Sequence, residues 1–133
     1  MAGFTEAEAN RLIDGYLSDG TYSTPTDVWL ALFRSDPTIS NEEADYGGYA
    51  RVKVTGQFST ASNGSSHNTS PIIFPEDTDG NSGNDIYYVA LCNSDTVGDA
   101  SSIIISAVLA EHITPESNQS IVFNAGDLLI TLR

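Results

Sequence analysis

Six consecutive apolar residues, Val28–Phe33, stand in a polar stretch bounded by two prolines. An apolar run of this length is typical of a β-strand that is buried on both faces, because it leaves no position for solvent. Side chains alternate along a strand, which places Trp29 and Phe33 on one face and Leu30 and Leu32 on the other. The pattern predicts a core strand over residues 27–34 that the rest of the chain covers.

The N-terminal segment has the pattern of an amphipathic helix. Thr5 followed by Glu8 has the form of a capping box, which marks a helix start. Apolar residues follow at helical spacing and form one stripe: Ala9, Leu12, Ile13, Tyr16 and Leu17. Gly20 is a suitable C-terminal cap. We predict a helix over residues 5–19, whose stripe packs on the sheet of the same domain or docks on a neighbouring subunit.

Strict alternation begins again after a polar loop. The pattern from Tyr49 to Phe58 predicts a strand with one solvent-exposed (wet) face and one buried face. Arg51 and Lys53 are two of the five basic residues, and both fall on the wet face. They are either solvated charges at a sheet edge or partners of acidic groups across a subunit interface.

The remaining apolar segments are short and are separated by Gly, Asn, Asp and Pro. They predict a turn and polar strand in Ser59–Ser70, strands in Pro71–Pro75, Ile86–Cys92 and Ile103–Ala110, and a terminal pair formed by Ser120–Phe123 and Leu128–Leu132. This spacing favours a mainly β chain, with one antiparallel β-sandwich or barrel-like domain and one N-terminal helix. A length of 133 residues fits a single domain, 1–133, with strands and loops over residues 27–132.

Charge narrows the possible partners. The chain has 5 basic and 18 acidic residues, a net charge of −13, and such a surface repels nucleic acid. No apolar stretch has the length of a membrane span, and the first residues lack the basic and apolar regions of a signal peptide. We therefore expect neither nucleic acid nor membrane as a partner. Cys92 lies in an apolar run, where a buried inert thiol is expected.

Only one loop is a candidate for metal chemistry. Its oxygen-bearing residues, which suit calcium, are Asp77, Asp79, Asn81 and Asp85. Ser82 and Tyr88 stand where an EF-hand needs glycine and glutamate, so we expect a solvated turn here, with a calcium site as the alternative. His67 and His112 have no zinc spacing, and no nucleophile elbow or phosphate loop is present. We expect no enzyme activity and no cofactor.

Several segments together resemble a family of small tailed-phage virion proteins of the kind named phage tail fibre proteins. The segments that carry the resemblance are residues 21–38, Gly47–Arg51, Ile72–Pro75, Phe123–Leu128 and Ile130–Leu132. The acidic loop Asp77–Asp85 departs from the aromatic turn that the family often has there. The resemblance implies a structural protein of the virion, assembled in the host cytoplasm.

Two functions fit that resemblance. The first is a capsid decoration (cement) protein, a homo-oligomer, expected as a trimer, that binds and stabilises the outer surface of the major capsid protein shell. The second is a tail-associated fibre or adaptor module that binds another tail protein or a host surface glycan. An enzyme such as a depolymerase has no motif to support it. The candidate interface residues are Phe4, Arg11, Tyr46, Tyr49, Arg51 and Lys53, with Tyr46 and Tyr49 expected to be exposed.

Overall fold

A computed structural model describes residues 3–18, 20–79 and 84–132 of the chain. Short strands and one α-helix follow one another in this order: β1 Gly3–Phe4, α1 Glu6–Leu17, β2 Trp29–Phe33, β3 Val52–Lys53, β4 Ser65–His67, β5 Ile72–Ile73, β6 Ile86–Cys92, β7 Ile103–Ile113, β8 Val122–Phe123 and β9 Leu129–Thr131. A 3₁₀ turn, Ala100–Ser102, leads into β7. The prediction of a mainly β chain with one N-terminal helix is confirmed.

The main sheet has five antiparallel strands in the order β1-β7-β6-β2-β3. Strand β2 pairs along its whole length with β6, so that Leu30 lies opposite Leu91 and Leu32 opposite Val89. The prediction of a doubly buried β2 is confirmed, since Leu30 and Leu32 enter the larger core on one face of the sheet. Ala31 and Phe33 enter a smaller core on the other face.

Two small sheets, β4-β9 and β5-β8, supply a second layer. The β5-β8 sheet and the residues next to it share the larger core with the main sheet: Ile72, Phe74, Ile121 and Phe123 pack with Leu30, Leu32 and Val89. Within residues 3–18, 20–79 and 84–132 these sheets stay separate and close no barrel. The sandwich alternative of the sequence-based prediction is therefore the closer one.

The predicted pairing of the last two strands with each other is wrong, because β8 pairs with β5 and β9 with β4. The chain turns between them around the fully buried amide of Asn68. This amide donates to the carbonyls of Ser70 (3.1 Å) and Asn124 (2.9 Å) and accepts from the N–H groups of Gly126 (3.1 Å) and Leu128 (3.0 Å). All its hydrogen-bonding capacity is used, which holds β8 and β9 apart.

The predicted alternating strand Tyr49–Phe58 is reduced to two paired residues, Val52–Lys53. A turn ends it at once, with the Gln57 N–H bonded to the Val54 carbonyl at 3.0 Å and Gly56 at a positive φ of 74°. Positive φ is a conformation that glycine adopts without steric cost. The wet face predicted for Arg51 is also wrong, since this residue is 5% exposed.

Helix α1 begins after Thr5, whose hydroxyl accepts from the Glu8 N–H at 3.3 Å. The reciprocal half of the predicted capping box is wrong, because the Thr5 N–H bonds to the Ile104 carbonyl of β7 at 2.9 Å. The helix ends at Leu17 with Ser18 as its cap, so the predicted Gly20 lies beyond the cap. No helix in the described part of the chain is long and apolar enough to cross a membrane.

Candidate interaction surface

Helix α1 turns its largest apolar side chains to solvent. Ile13 is 55% exposed, Tyr16 83% and Leu17 81%. These three residues, called the helix patch below, follow the i, i+3, i+4 spacing that places side chains on one face of a helix. Ala9 and Leu12, the other members of the predicted stripe, are half-buried. The interpretation in which the whole stripe packs on its own sheet is therefore wrong for the helix patch.

The opposite face of α1 is polar at its centre and packs on the chain. Glu8 is 4% exposed, accepts a hydrogen bond from the Tyr22 hydroxyl, and accepts another from Arg11 Nη1 at 2.7 Å. The Arg11 guanidinium also lies over the Tyr22 ring, 5.1 Å from its centroid, and donates to the Ser23 carbonyl at 3.0 Å. The hydrogen bond to Glu8 is the main cause that raises the pKa of Tyr22.

Gly15 allows Tyr22 to come this close. A Cβ atom at residue 15 would lie 2.4 Å from the Tyr22 Cβ, a distance that real contacts do not reach. Thr5 fixes the other end of the helix, because its hydroxyl donates to the Ile103 carbonyl at 2.9 Å. With both ends anchored, α1 holds the helix patch outward in one orientation. The sequence carried a signal for this arrangement, since a glycine inside a helical pattern often marks a close approach.

Arg51, a predicted interface residue, lies inside the chain instead. Its side chain is 0% exposed and forms an ion pair with Glu43, with Nε to Oε2 at 2.9 Å and Nη2 to Oε1 at 2.8 Å. Its remaining donors bond to the Ser94 carbonyl, the Ser102 hydroxyl and the Asp99 carbonyl. All five N–H groups of the guanidinium are thereby satisfied. The acidic partner predicted for Arg51 exists, but it belongs to the same chain.

This ion pair joins two loops. Glu43 also accepts from the Gly98 N–H at 2.8 Å and from the Tyr49 hydroxyl at 2.7 Å. Burial alone would lower the pKa of Arg51, but the hydrogen bond to Glu43 and the neighbouring ionisable groups together raise that pKa above its usual value. We infer a structural role, in which the pair ties the loop before β3 to the loop between β6 and β7.

The predicted exposure of Tyr46 and Tyr49 is wrong. Tyr46 is 4% exposed and Tyr49 is half-buried. The Tyr49 ring stacks on Phe74 with centroids 6.2 Å apart, and its hydroxyl accepts from the Leu32 N–H at 3.0 Å. Burial is the main cause that raises the pKa of both phenols, that of Tyr46 to about 12. These rings belong to the core and leave little surface for a glycan.

Three predicted interface residues are partly accessible. Phe4 is half-buried in β1, Arg11 lies on the face of α1 opposite the helix patch with a side chain 46% exposed, and Lys53 is 53% exposed with its ammonium 3.1 Å from Asp27 Oδ1. For these residues the interface role stays a prediction. In the described part of the chain, each basic residue has a carboxylate partner: Arg11 with Glu8, Arg34 with Asp45, Arg51 with Glu43, and Lys53 with Asp27.

The calcium candidates do not form a site in the described residues. Asp77 is buried and accepts from the Asp79 N–H at 2.9 Å, whereas Asp85 accepts from the Thr114 hydroxyl at 2.7 Å. Asn81 lies outside the described residues. Nowhere in residues 3–18, 20–79 and 84–132 do three or more His, Cys, Asp or Glu side chains gather as metal ligands would.

Comparison with known proteins supplies a family. A family model described as podophage GP4 fiber I protein gp80 matches residues 3–131, which is nearly the whole chain. A comparison with curated proteins found no match. The matched range includes the helix patch, the ion pair of Glu43 with Arg51, and all the strands from β1 to β9.

Proposed function

The chain belongs to the podophage GP4 fiber I protein gp80 family, and from that premise we propose that it is a tail fibre or adaptor module that attaches to another virion protein through the helix patch. Membership of this family makes the chain a structural protein of the phage virion. The fibre description of the family favours the tail-associated function over capsid decoration.

The single observation that supports attachment through α1 is its outward apolar face. An amphipathic helix that binds a partner groove does so through residues at i, i+3 and i+4, which is the spacing of Ile13, Tyr16 and Leu17. Burying a side chain such as Leu17 contributes about 1.5–3 kcal/mol relative to leaving it in water. Because α1 is already anchored by Thr5 and Tyr22, little conformational entropy is lost when it binds.

Charge indicates what the partner surface is like. Glu6 and Asp14 are exposed on the same helix, and its one cation, Arg11, lies on the opposite face and is already paired with Glu8. A second copy of this chain would bring another surface with a net charge of −13. We therefore expect the partner to be a different virion protein that offers an apolar groove with a basic rim. The trimer expected from the sequence would have to form through other surfaces.

The test is attachment of purified protein to phage particles that lack this chain. Leu17→Ser and Tyr16→Ser variants are expected to bind these particles about tenfold to a hundredfold more weakly than the unchanged protein, as the loss of about 1.5–3 kcal/mol requires. Ile39→Ser is the matched control, because Ile39 is 84% exposed and lies outside the helix patch. Equal binding by the helix-patch variants would refute attachment through α1.

The location on the particle is tested separately with gold-labelled antibody and copy counting. Label confined to the tail, with a handful of copies per particle, is expected. Label spread over the head with hundreds of copies would replace the tail proposal with capsid decoration. In that case the same three variants would still report whether the helix patch is the contact.

A further inference from the structure

Beside α1 the chain forms an open cleft of about 800 Å³ with both polar and apolar lining. It lies between the segment that precedes β2 and the loop that follows β6. Its lining includes Arg11, Thr24, Asp27, Trp29, Asn93 and Asp95. The cleft is separate from the helix patch, because the residue that α1 contributes to it is Arg11, on the opposite face of the helix.

Trp29 is the aromatic residue of this cleft and the sole tryptophan of the chain. It begins β2, the strand whose next four residues are buried, yet it is half-buried itself and belongs to neither core cluster. Among the described residues no hydrogen-bond acceptor contacts its indole N–H. A tryptophan with an accessible ring and a free donor is suited to a ligand with one apolar face and nearby hydroxyl groups.

Several polar side chains around Trp29 also make no hydrogen bond to another described residue. Asn93 and Asp95 are exposed, and neither side chain hydrogen-bonds to another residue in the described part of the chain. Thr24 and Thr26 are exposed too, and their hydroxyls make no hydrogen bond to another described residue. By contrast, Asp27 holds Lys53 at 3.1 Å. An amide, a carboxylate and hydroxyls together can both donate to and accept from the hydroxyls of a ligand.

From this combination we propose that the cleft binds a neutral saccharide. The apolar C–H face of a sugar ring packs on Trp29, and its hydroxyls bond to Asn93 and Asp95. The ligand is neutral because Asp27 and Asp95 line the cleft, Arg11 is already paired with Glu8, and the whole chain carries −13. An anionic sugar would meet like charge there. The role of this site rests on the proposed fibre function, because a tail fibre contacts the host surface.

Trp29 fluorescence gives a direct readout, because no other tryptophan contributes. The probes are a panel of neutral saccharides, such as methyl glycosides and short oligosaccharides of glucose, galactose and N-acetylglucosamine. Sialylated and sulfated oligosaccharides serve as anionic comparisons. A saturable change with at least one neutral saccharide is expected, with binding at least about tenfold weaker for its anionic counterpart. No saturable change up to about 50 mM, which corresponds to a binding free energy too small for a specific site, would overturn the proposal.

Variants link the binding to the cleft. Asp95→Ala and Asn93→Ala remove exposed side chains that make no hydrogen bond in the described structure, so both proteins are expected to fold. Each should weaken binding by about tenfold, the loss of one good hydrogen bond to the ligand. Glu111→Ala is the control, because it removes one exposed carboxylate outside the cleft and should bind within about twofold of the unchanged protein. Unchanged binding by both cleft variants would refute the assignment.

The two proposals fail independently. Leu17→Ser is expected to bind the saccharide normally and to attach to particles poorly, whereas Asp95→Ala should show the reverse. Loss of saccharide binding alone would leave particle attachment through α1 intact. Loss of attachment alone would leave the saccharide site intact.

Discussion

Replacing Arg51 with methionine is expected to cost about 3–5 kcal/mol of the free energy of unfolding. The methionine removes five hydrogen bonds and leaves the Glu43 carboxylate buried without its cation. Breaking a buried ion pair by removing one partner has this cost because the remaining charge stays desolvated. Domains have only about 5–15 kcal/mol in total, so Arg51→Met should be among the most damaging single changes in this chain.

The sign of a second change distinguishes charge from packing. In the unchanged protein, Glu43→Gln weakens the bonds to Arg51 and should be destabilising. In the Arg51→Met background the same Glu43→Gln change removes the unpaired buried charge, and the new amide oxygen can still accept from the Gly98 N–H. There it should be stabilising by about 1–3 kcal/mol, the desolvation cost of the charge that it removes.

Urea unfolding of the four proteins, followed by Trp29 fluorescence, measures this cycle. Trp29 is a suitable reporter because it lies in the main sheet, in register with Lys53. Should the Arg51→Met protein not fold at all, recovery of a cooperative transition in the double variant is the equivalent positive result. If Glu43→Gln destabilises both backgrounds equally, within about 0.5 kcal/mol, the two side chains are not coupled and the reasoning is refuted.

Two further outcomes follow from single contacts. Gly15→Ala gains about 1 kcal/mol of helix propensity but places a Cβ atom 2.4 Å from the Tyr22 Cβ, so its melting temperature should fall by several degrees. The exposed control Asn10→Ala should not lower the melting temperature. A higher melting temperature for Gly15→Ala would contradict the tight contact. Burial is the main cause that raises the pKa of Cys92 to about 11 from an ordinary value near 9.0, so the neutral thiol contributes stability below pH 9 that is lost as pH rises through about 11. Between pH 8 and 11, the urea midpoint of the unchanged protein should therefore fall more steeply than that of Cys92→Ala. A native thiol that titrates near its ordinary pKa would contradict this.

Elements defined by continuous patterns could be predicted from the sequence, and elements defined by long-range partners could not. Ile86–Cys92 is a strand with the predicted bounds because its apolar run stops sharply on both sides. The pattern predicts that the neighbouring strand ends at Ala110, whereas β7 continues to Ile113 through the exposed, polar residues Glu111 and His112. Backbone pairing with β6 holds this extension, and backbone pairing leaves no mark in side-chain polarity.

In the candidate surfaces, too, local patterns could be predicted from the sequence and long-range contacts could not. Helical spacing located the apolar stripe of α1 but not the side that faces the protein, which is decided by the contacts of Glu8 and Gly15 with Tyr22. Arg51 resembled a solvated charge because its alternation with Val52 is that of an edge strand. Only its position beside Glu43, Ser94 and Ser102 offsets the cost of burial, and the two serines are 43 and 51 residues away along the chain. The turn around Asn68 was missed for the same reason.

The pairing of β4 with β9 and of β5 with β8 sets the order in which the nascent chain can fold. The Ser65 and Thr131 hydroxyls that bond across β4 and β9 are 66 residues apart, so β4 leaves the ribosome long before its partner. Ile72 and Phe74 likewise remain uncovered until β8 is made. A chain whose synthesis stops early therefore exposes apolar core and is open to chaperones and proteases. The second layer can close only after β8 and β9 have been synthesised, so exposed apolar core distinguishes a chain without these strands from one that has them.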